Sequence, residues 1–319
     1  LHMRVVPEVH KSYNIETAGQ EDRETGAYSQ VYMTTDISPE GLDAAYQALN
    51  WTPAGKVAVK LSTGEAGGHN YLQPDLIRDL VQSVGGTIVE CNTAYGGSRA
   101  STEMHRQVAE EHGFTGIAEV DIMDEDGSMS LPVEEDTHLK ENLVGQNLAN
   151  YDSVLVLSHF KGHAMGGFGG ALKNISIGIG SQEGKRQIHT AGLSRKSMMF
   201  ISITNQNDFL ESMAEAAKSV SDYEEHGENI VYVSVMNRLS VDCDCDSSPA
   251  EPDMHDIGIL ASRDPVALDQ ACVDLVYAAE DGQALVNRIE ERNGIHILTH
   301  AEAIGLGNRN YELIDLDEQ

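Results

Sequence analysis

Val154-Leu155-Val156-Leu157-Ser158-His159-Phe160-Lys161-Gly162-His163 decides the fold class of this chain. A continuous apolar, β-branched run reads as a strand buried on both faces, the kind that parallel sheets use. It stops abruptly at two histidines and a lysine. Gly166, Gly167, Gly169 and Gly170 follow, then Lys173-Asn174. A buried strand that empties into a polar, glycine-rich loop is how open α/β sheets build ligand sites at their carboxyl edge.

Strand and helix signals alternate on either side. Strands are expected over 28–34, 56–61, 87–91, 117–123, 153–158, 198–204, 230–236, 257–261 and 311–314. Helices are expected between them: Ser38 caps one with Pro39 at its first position, Pro74 starts a second that Gly85-Gly86 ends, and Ser101 or Thr102 caps a third closed by Gly113. Further helices are expected over 139–149, 208–220, from Pro265 behind its cap Asp264 to Ala279, and near 283–292 and 300–304. Repeated βα units predict an α/β fold: a largely parallel sheet with helices on both faces. We expect one α/β body over residues 4–319, with two lobes meeting near 150–200 as the alternative. Leu1-His2-Met3 reads as an appended remnant, with the native start near Met3.

Charge narrows the function classes. The chain has 21 Lys+Arg against 51 Asp+Glu, a net charge of −30. That balance disfavours nucleic acid and anionic membrane surfaces as partners. No apolar run approaches the roughly 18 residues of a membrane span, and no signal peptide is visible. Four cysteines (Cys91, Cys243, Cys245, Cys272) are too few and too irregular for a disulfide framework, so a reducing cytoplasm is the expected location. Against this acidic background, residues 159–196 carry Lys161, Lys173, Lys185, Arg186, Arg195 and Lys196 and the single acid Glu183. Positive charge beside glycine N–H groups suits a small anionic molecule such as a carboxylate or phosphate.

Three further segments carry candidate chemistry. Gly64 to Asn70 follows one expected strand and offers Glu65 and His69 as acid–base or ligand groups. Asn92 to Arg99 follows another and offers the Tyr95 hydroxyl and the Arg99 fork. Asp242-Cys243-Asp244-Cys245-Asp246 follows the strand at 230–236. If it is extended, both sulfurs share one face and the aspartates the other, and the thiols could hold a divalent metal (zinc or iron) or act as a redox pair. His159, His163 or His255 could complete a metal site. The flanking aspartates should raise the thiol pKa values. His159 and His163 would share a face only on a helix, and Gly162 argues against one. No dinucleotide fingerprint, Walker loop, nucleophile elbow or His-Glu-X-X-His is present. If the sheet is parallel, the segments 62–70, 92–99, 159–174 and 242–246 all sit on one rim.

Several of these pieces together resemble the domain-of-unknown-function family 362: Val59 to Glu65, Asn92 to Arg99, His159 to His163 with Gly166 to Asn174, Asp242 to Cys245, and Ile257 to Ala267 continued by Asp269, Gln270 and Asp274. The resemblance implies no settled activity. Many relatives place a ferredoxin-like insert with Cys-X-X-Cys runs after the glycine block. This chain has no such run between Gly180 and Asn229, so no intrinsic four-iron cluster is expected. The reading reached is an enzyme acting on a small anionic substrate with metal or thiol/redox assistance, a separate redox protein being one conceivable partner. Its catalytic residues are His159, His163 and Lys161, with His159 or His163 moving protons and Lys161 holding the anion together with Lys173; substrate binding falls to Lys173, Asn174, Tyr95, Arg99, Glu65 and His69. Cys243 and Cys245 are the metal ligands or reactive thiols. The alternative is a non-catalytic protein that binds an anionic metabolite or a partner protein at the same rim.

Overall fold

The structure, a computed structural model, describes residues 28–134 and 137–318. The expected start near Met3 lies outside them. The strand read from Val154 onward is β7 (Ser153–His159), and every residue in it is buried. Its neighbours explain why. β2 (Val57–Lys60) and β10 (Ile230–Met236) pair with it in parallel on either side. Beyond β2 lie β3 (Thr87–Glu90) and β4 (Val120–Ile122), also parallel. Beyond β10 lie β11 (Gly258–Ser262), β1 (Ser29–Thr34) and β12 (Tyr311–Asp315). Only β11 runs against the rest, since it is antiparallel to both β10 and β1 while β12 is parallel to β1.

Helices cover both faces. The inward alternation of β7 shows it: Val154 and Val156 join one apolar cluster, while Leu155 and Leu157 join the other. The second cluster is closed by α1 (Pro39–Ala48) and α2 (Pro74–Ser83). α1 opens with the expected cap, Ser38 Oγ accepting the Gly41 N–H, and with Pro39 at its first position. The first cluster is closed by α4 (Ala171–Ser176), α6 (Gln206–Tyr223), α7 (Pro265–Ala278) and α9 (His296–Ala303). Among the described residues, no helix is long and apolar enough to cross a membrane.

The chain leaves β2 toward β3 and β4, then returns to lay β7 on the other side of β2 and continues outward to β10. Strand order therefore reverses between β2 and β7. In open α/β sheets the crevice at the carboxyl ends of such a pair is where ligands bind.

Two expectations fail. Residues 139–149 are not a helix: Glu141–Gly145 forms β6, which pairs with β5 (Ser128–Pro132) as a hairpin, and only Gln146–Asn150 makes a 3-10 turn. The apolar spacing of Leu139, Leu143, Val144 and Leu148 mimics a helix, but a hairpin buries the same residues. Residues 198–204 are not a strand. They contain a short 3-10 helix, Met199–Ile203, which finds no strand partner and leaves Met199 83% and Ile203 71% exposed.

Candidate functional site

At the β2/β7 switch point a cavity of about 100 Å³ opens at the carboxyl rim. Its walls come from each of the four segments singled out above. Ser62, Thr93 to Tyr95 and Arg99 form one side. His159, Lys161, His163, Gly169, Gly170, Lys173 and Asn174 form the second, and Cys243 and Cys245 the third. Lys60, Glu90, Lys185 and His189 lie among them.

The glycine-rich stretch is a small hairpin, β8 (Lys161–His163) with β9 (Gly167–Gly169), that feeds directly into α4. Gly167 sits at φ +85, a left-handed turn that only glycine adopts without strain. Gly162 has a different reason. A Cβ there would lie 2.2 Å from the Val241 carbonyl oxygen, so its bareness lets the cysteine loop approach β8. Asp269 on α7 accepts the Ala171 and Leu172 N–H groups at 2.8 and 2.9 Å. It thereby fixes the first turn of α4, which carries Lys173 and Asn174.

The thiols form a coupled pair. The Cys245 thiol donates to Cys243, and this is the chief reason Cys243 is held well below its ordinary pKa despite burial; Lys173, His163 and Lys161 add to it. Cys245 is correspondingly pushed well above, first by Cys243 and then by burial. The Cys245 backbone N–H also points at Cys243 Sγ, 3.3 Å away. The flanking aspartates were expected to raise the thiols. At Cys243 the Cys245 hydrogen bond and the neighbouring cations prevail, and Asp242 and Asp244 are themselves paired. Asp244 Oδ2 takes His159 Nδ1–H at 2.8 Å and Lys161 Nζ at 3.2 Å, and Asp242 pairs with Arg288.

His163 Nδ1 accepts the N–H groups of Gly166 (2.9 Å) and Met165 (3.2 Å). Burial first, and then Lys173, lower its pKa, so the ring is neutral and its proton sits on Nε2. Nε2 lies 4.0 Å from Cys245 Sγ. One ligand atom each from His163, Cys243 and Cys245 falls within 4.8 Å of the others, so these three residues could hold a metal ion.

Lysines dominate the rest of the wall. Lys60 is fully buried, and burial lowers it to about 7 although Glu90 opposes this. It donates to the Leu61 carbonyl (2.7 Å) and to Asn174 Oδ1 (2.9 Å). Lys161 stays charged because Asp244 and Cys243 outweigh its burial. Lys185 donates to the Gly180 carbonyl at 2.6 Å, and burial lowers its pKa. Lys173 makes no hydrogen bond or ion pair with any described residue, yet it lines the cavity and acts electrostatically on Cys243 and His163. Beside it, burial lowers His189 to about 4; its Nδ1–H donates to the Lys185 carbonyl and its ring stacks on Phe209.

Several candidates from the sequence are placed otherwise. Arg99 is not an open fork: it pairs with Glu65 and Glu90, donates to Ser62, and reaches the Tyr95 hydroxyl at 3.2 Å. Glu65 is buried against Arg99 and the Ser98 N–H (2.7 Å) and does not line the cavity. His69 is more than half exposed and pairs with Glu251. His159 faces the cavity, but both ring nitrogens are engaged, Nδ1 by Asp244 and Nε2 by the Asn237 carbonyl at 2.7 Å. Asn174 ties strand ends together through Leu157 O and Ser158 Oγ. Tyr95 donates to the Cys245 carbonyl at 3.4 Å. His255 is exposed on Asp281 and does not line the cavity. Glu90, Lys60 and His189 were missed. Burial alone would raise Glu90, but His105, then Arg99 and Lys60, hold it well below the usual carboxylate range. A charged residue ending an apolar strand, as Lys60 and Glu90 both do, was the available signal.

No curated protein matches the sequence. Among solved structures, the lactate racemase apoprotein from Thermoanaerobacterium thermosaccharolyticum aligns at a TM-score of 0.43 and 11% identity, covering 78% of this chain and 57% of that one. A Thermotoga maritima protein aligns at 0.44 and 14% identity, covering 74% and 57%. The chain thus spans a little over half the length of each. The profile of the domain of unknown function DUF362 matches residues 57–274, from β2 through α7 and across every wall of the cavity, and the chain belongs to that family.

Proposed function

We propose that the cavity is the active site of an enzyme that takes a small anion of the carboxylate or phosphate class and works on it with the Cys243 thiolate. The observation that carries this reading is the position of Lys173, a cation with no described partner on the wall that also holds Cys243. Lys173 is half-buried, and an ammonium with no hydrogen-bond or ion-pair partner among the described residues is available to meet an anion. A depressed thiol is nucleophilic at neutral pH. Lys161, already balanced by Asp244, orients rather than neutralises. His163 Nε2–H, 4.0 Å from Cys245 Sγ, is the imidazole proton available to the thiol pair.

The test is alkylation of the wild-type chain by iodoacetamide at constant ionic strength, with phosphate, sulfate and small carboxylates added in turn. Cys243 should react faster than Cys91, which burial pushes up to about 12, and one class of anion should slow it. Equal rates for Cys243 and Cys91, with no anion effect, would sink the proposal. Anion protection without turnover of any carboxylate or phosphate ester would leave a binding protein.

A second reading, a metal centre at His163, Cys243 and Cys245, is favoured by their spacing. It asks for more rearrangement, because the two N–H groups on His163 Nδ1 leave the proton on the nitrogen that would have to ligate. Zinc protection of Cys243 and Cys245 in the same assay would support it.

A further inference from the structure

A second cluster of metal-ligating side chains lies outside the cavity wall. α6 presents Asp208, Glu211 and Glu215 at helical spacing on one side. His138 approaches from the connection between β5 and β6, and His296 from the first turn of α9. Glu211 is held between two imidazoles: Oε2 accepts from His138 Nε2 at 2.6 Å and Oε1 from His296 Nε2 at 2.7 Å. One ligand atom each from His138, Asp208 and Glu211 lies within 4.8 Å of the others. The Asp208 carboxylate makes no hydrogen bond or ion pair with a described residue, although it is half-buried and faces this group.

We propose that His138, Asp208 and Glu211 bind a divalent ion of the zinc class, with His296, which lies outside that group on the other Glu211 oxygen, turning in as the fourth ligand, so that the ion cross-links the β5–β6 connection to α6 and α9. Two imidazole nitrogens and two carboxylate oxygens are a donor set that zinc accepts in tetrahedral geometry, whereas calcium and magnesium prefer all-oxygen shells. The ion would take the place of the two Nε2 protons now directed at Glu211, and those protons would move to the Nδ1 positions. It would also give Asp208 the positive partner it lacks among the described residues. The group is already oriented. Glu215 Oε2 accepts the backbone N–H groups of His138 (3.2 Å) and Leu139 (2.9 Å), so the loop that brings His138 in is anchored to the same helix as Glu211. Supporting hydrogen bonds of this kind hold first ligands in place at metal sites. The cluster is coupled to the cavity wall through one residue, since Phe209, beside Asp208 on α6, stacks on His189 at 5.2 Å.

The experiment uses the full chain carrying Cys243→Ser and Cys245→Ser, so that the cavity thiols cannot capture the probe; the remaining Cys91 and Cys272 are buried. Chelator-treated protein is titrated with Zn²⁺ by calorimetry, and melting is followed with and without the ion. One Zn²⁺ per chain and a higher Tm are expected. Glu211→Gln, which keeps the side-chain shape, and His296→Ala should each weaken binding by about tenfold or more. His138→Ala combined with His296→Ala should abolish it. Circular dichroism of the metal-free variants checks that they fold. Co²⁺ should give the visible spectrum of a nitrogen–oxygen site with no thiolate charge-transfer band. Absence of zinc binding in the Cys243→Ser/Cys245→Ser chain would overturn the proposal. So would zinc binding that Glu211→Gln and the double histidine variant leave unchanged in folded protein.

Discussion

Removing Asp244 tests how the cysteine loop is held against the sheet. The carboxylate is almost completely buried, and its Oδ2 receives both His159 Nδ1–H at 2.8 Å and Lys161 Nζ at 3.2 Å. Asp244→Ala deletes both contacts and leaves the buried Lys161 ammonium without its ion-pair partner, a loss of about 3–5 kcal/mol for a broken buried pair. Asp244→Asn keeps an acceptor in the same place but loses the charge and buries an amide NH₂ where Oδ1 now stands without a partner. It should cost less, roughly 2–3 kcal/mol. The assay is urea unfolding, with stabilities extrapolated linearly to water. The pH dependence fixes the cause. The folded-state pKa of Asp244 is depressed, with His159 and Lys161 overcoming its burial. Its contribution is therefore fully present above the unfolded value of about 4 and disappears as the pH falls below it. The gap between wild type and Asp244→Asn should be constant from neutral pH down to about 5 and close in stronger acid. A gap for Asp244→Ala under about 1 kcal/mol, the worth of an exposed pair, would refute the claim that this carboxylate anchors the loop.

Other perturbations separate the roles of the cavity residues. Lys173→Met removes no described contact, so stability should stay within about 0.5 kcal/mol, while alkylation of Cys243 at neutral pH slows and anion protection disappears; an unchanged rate would remove Lys173 from the site. For Lys60, between the folded value near 7 and the unfolded 10.5 only the unfolded chain holds the proton, so wild-type stability relative to Lys60→Met should rise with pH, by at most about 1.4 kcal/mol per pH unit. A flat difference between pH 7 and 10 in urea unfolding would show that Lys60 is not buried as a neutral amine. Gly162→Ala drives a Cβ into the Val241 carbonyl, so it should lower Tm and make Cys243 react with iodoacetamide at a rate closer to that of an ordinary exposed thiol.

The rim was legible because its signals are local. An apolar run that ends in polar residues and glycine announces a strand end from a few residues, and parallel order follows from alternation with helices. That is enough to bring 62–70, 92–99, 159–174 and 242–246 to one edge of the sheet. Elements whose stability comes from partners distant in sequence were not legible. β5 and β6 exist because they pair with each other and cover α6, and no spacing in 139–149 distinguishes that from a helix.

Charge follows the same division. Counting bases in 159–196 located the positive patch, but the field in the cavity depends on which charges cancel, and that is a property of contacts. Arg195 reaches Glu141 across 3.5 Å at the surface. Lys161 is balanced by Asp244, which sequence adjacency had assigned to the thiols. Arg99, the fork expected to meet a ligand, is closed by Glu65 and Glu90, and so instead stiffens the wall on which Tyr95 reaches the cysteine loop. Lys185 is buried with a carbonyl for a partner and is biased toward the neutral amine. After these cancellations Lys173 is the ammonium lining the cavity with no hydrogen-bond or ion-pair partner among the described residues, and its charge helps hold down Cys243, whose proton is shared with Cys245. An anion entering there meets this lysine on the wall that carries the sulfur. This is why the chemistry proposed here turns on Lys173 and Cys243 more than on the two histidines that first drew attention to the strand.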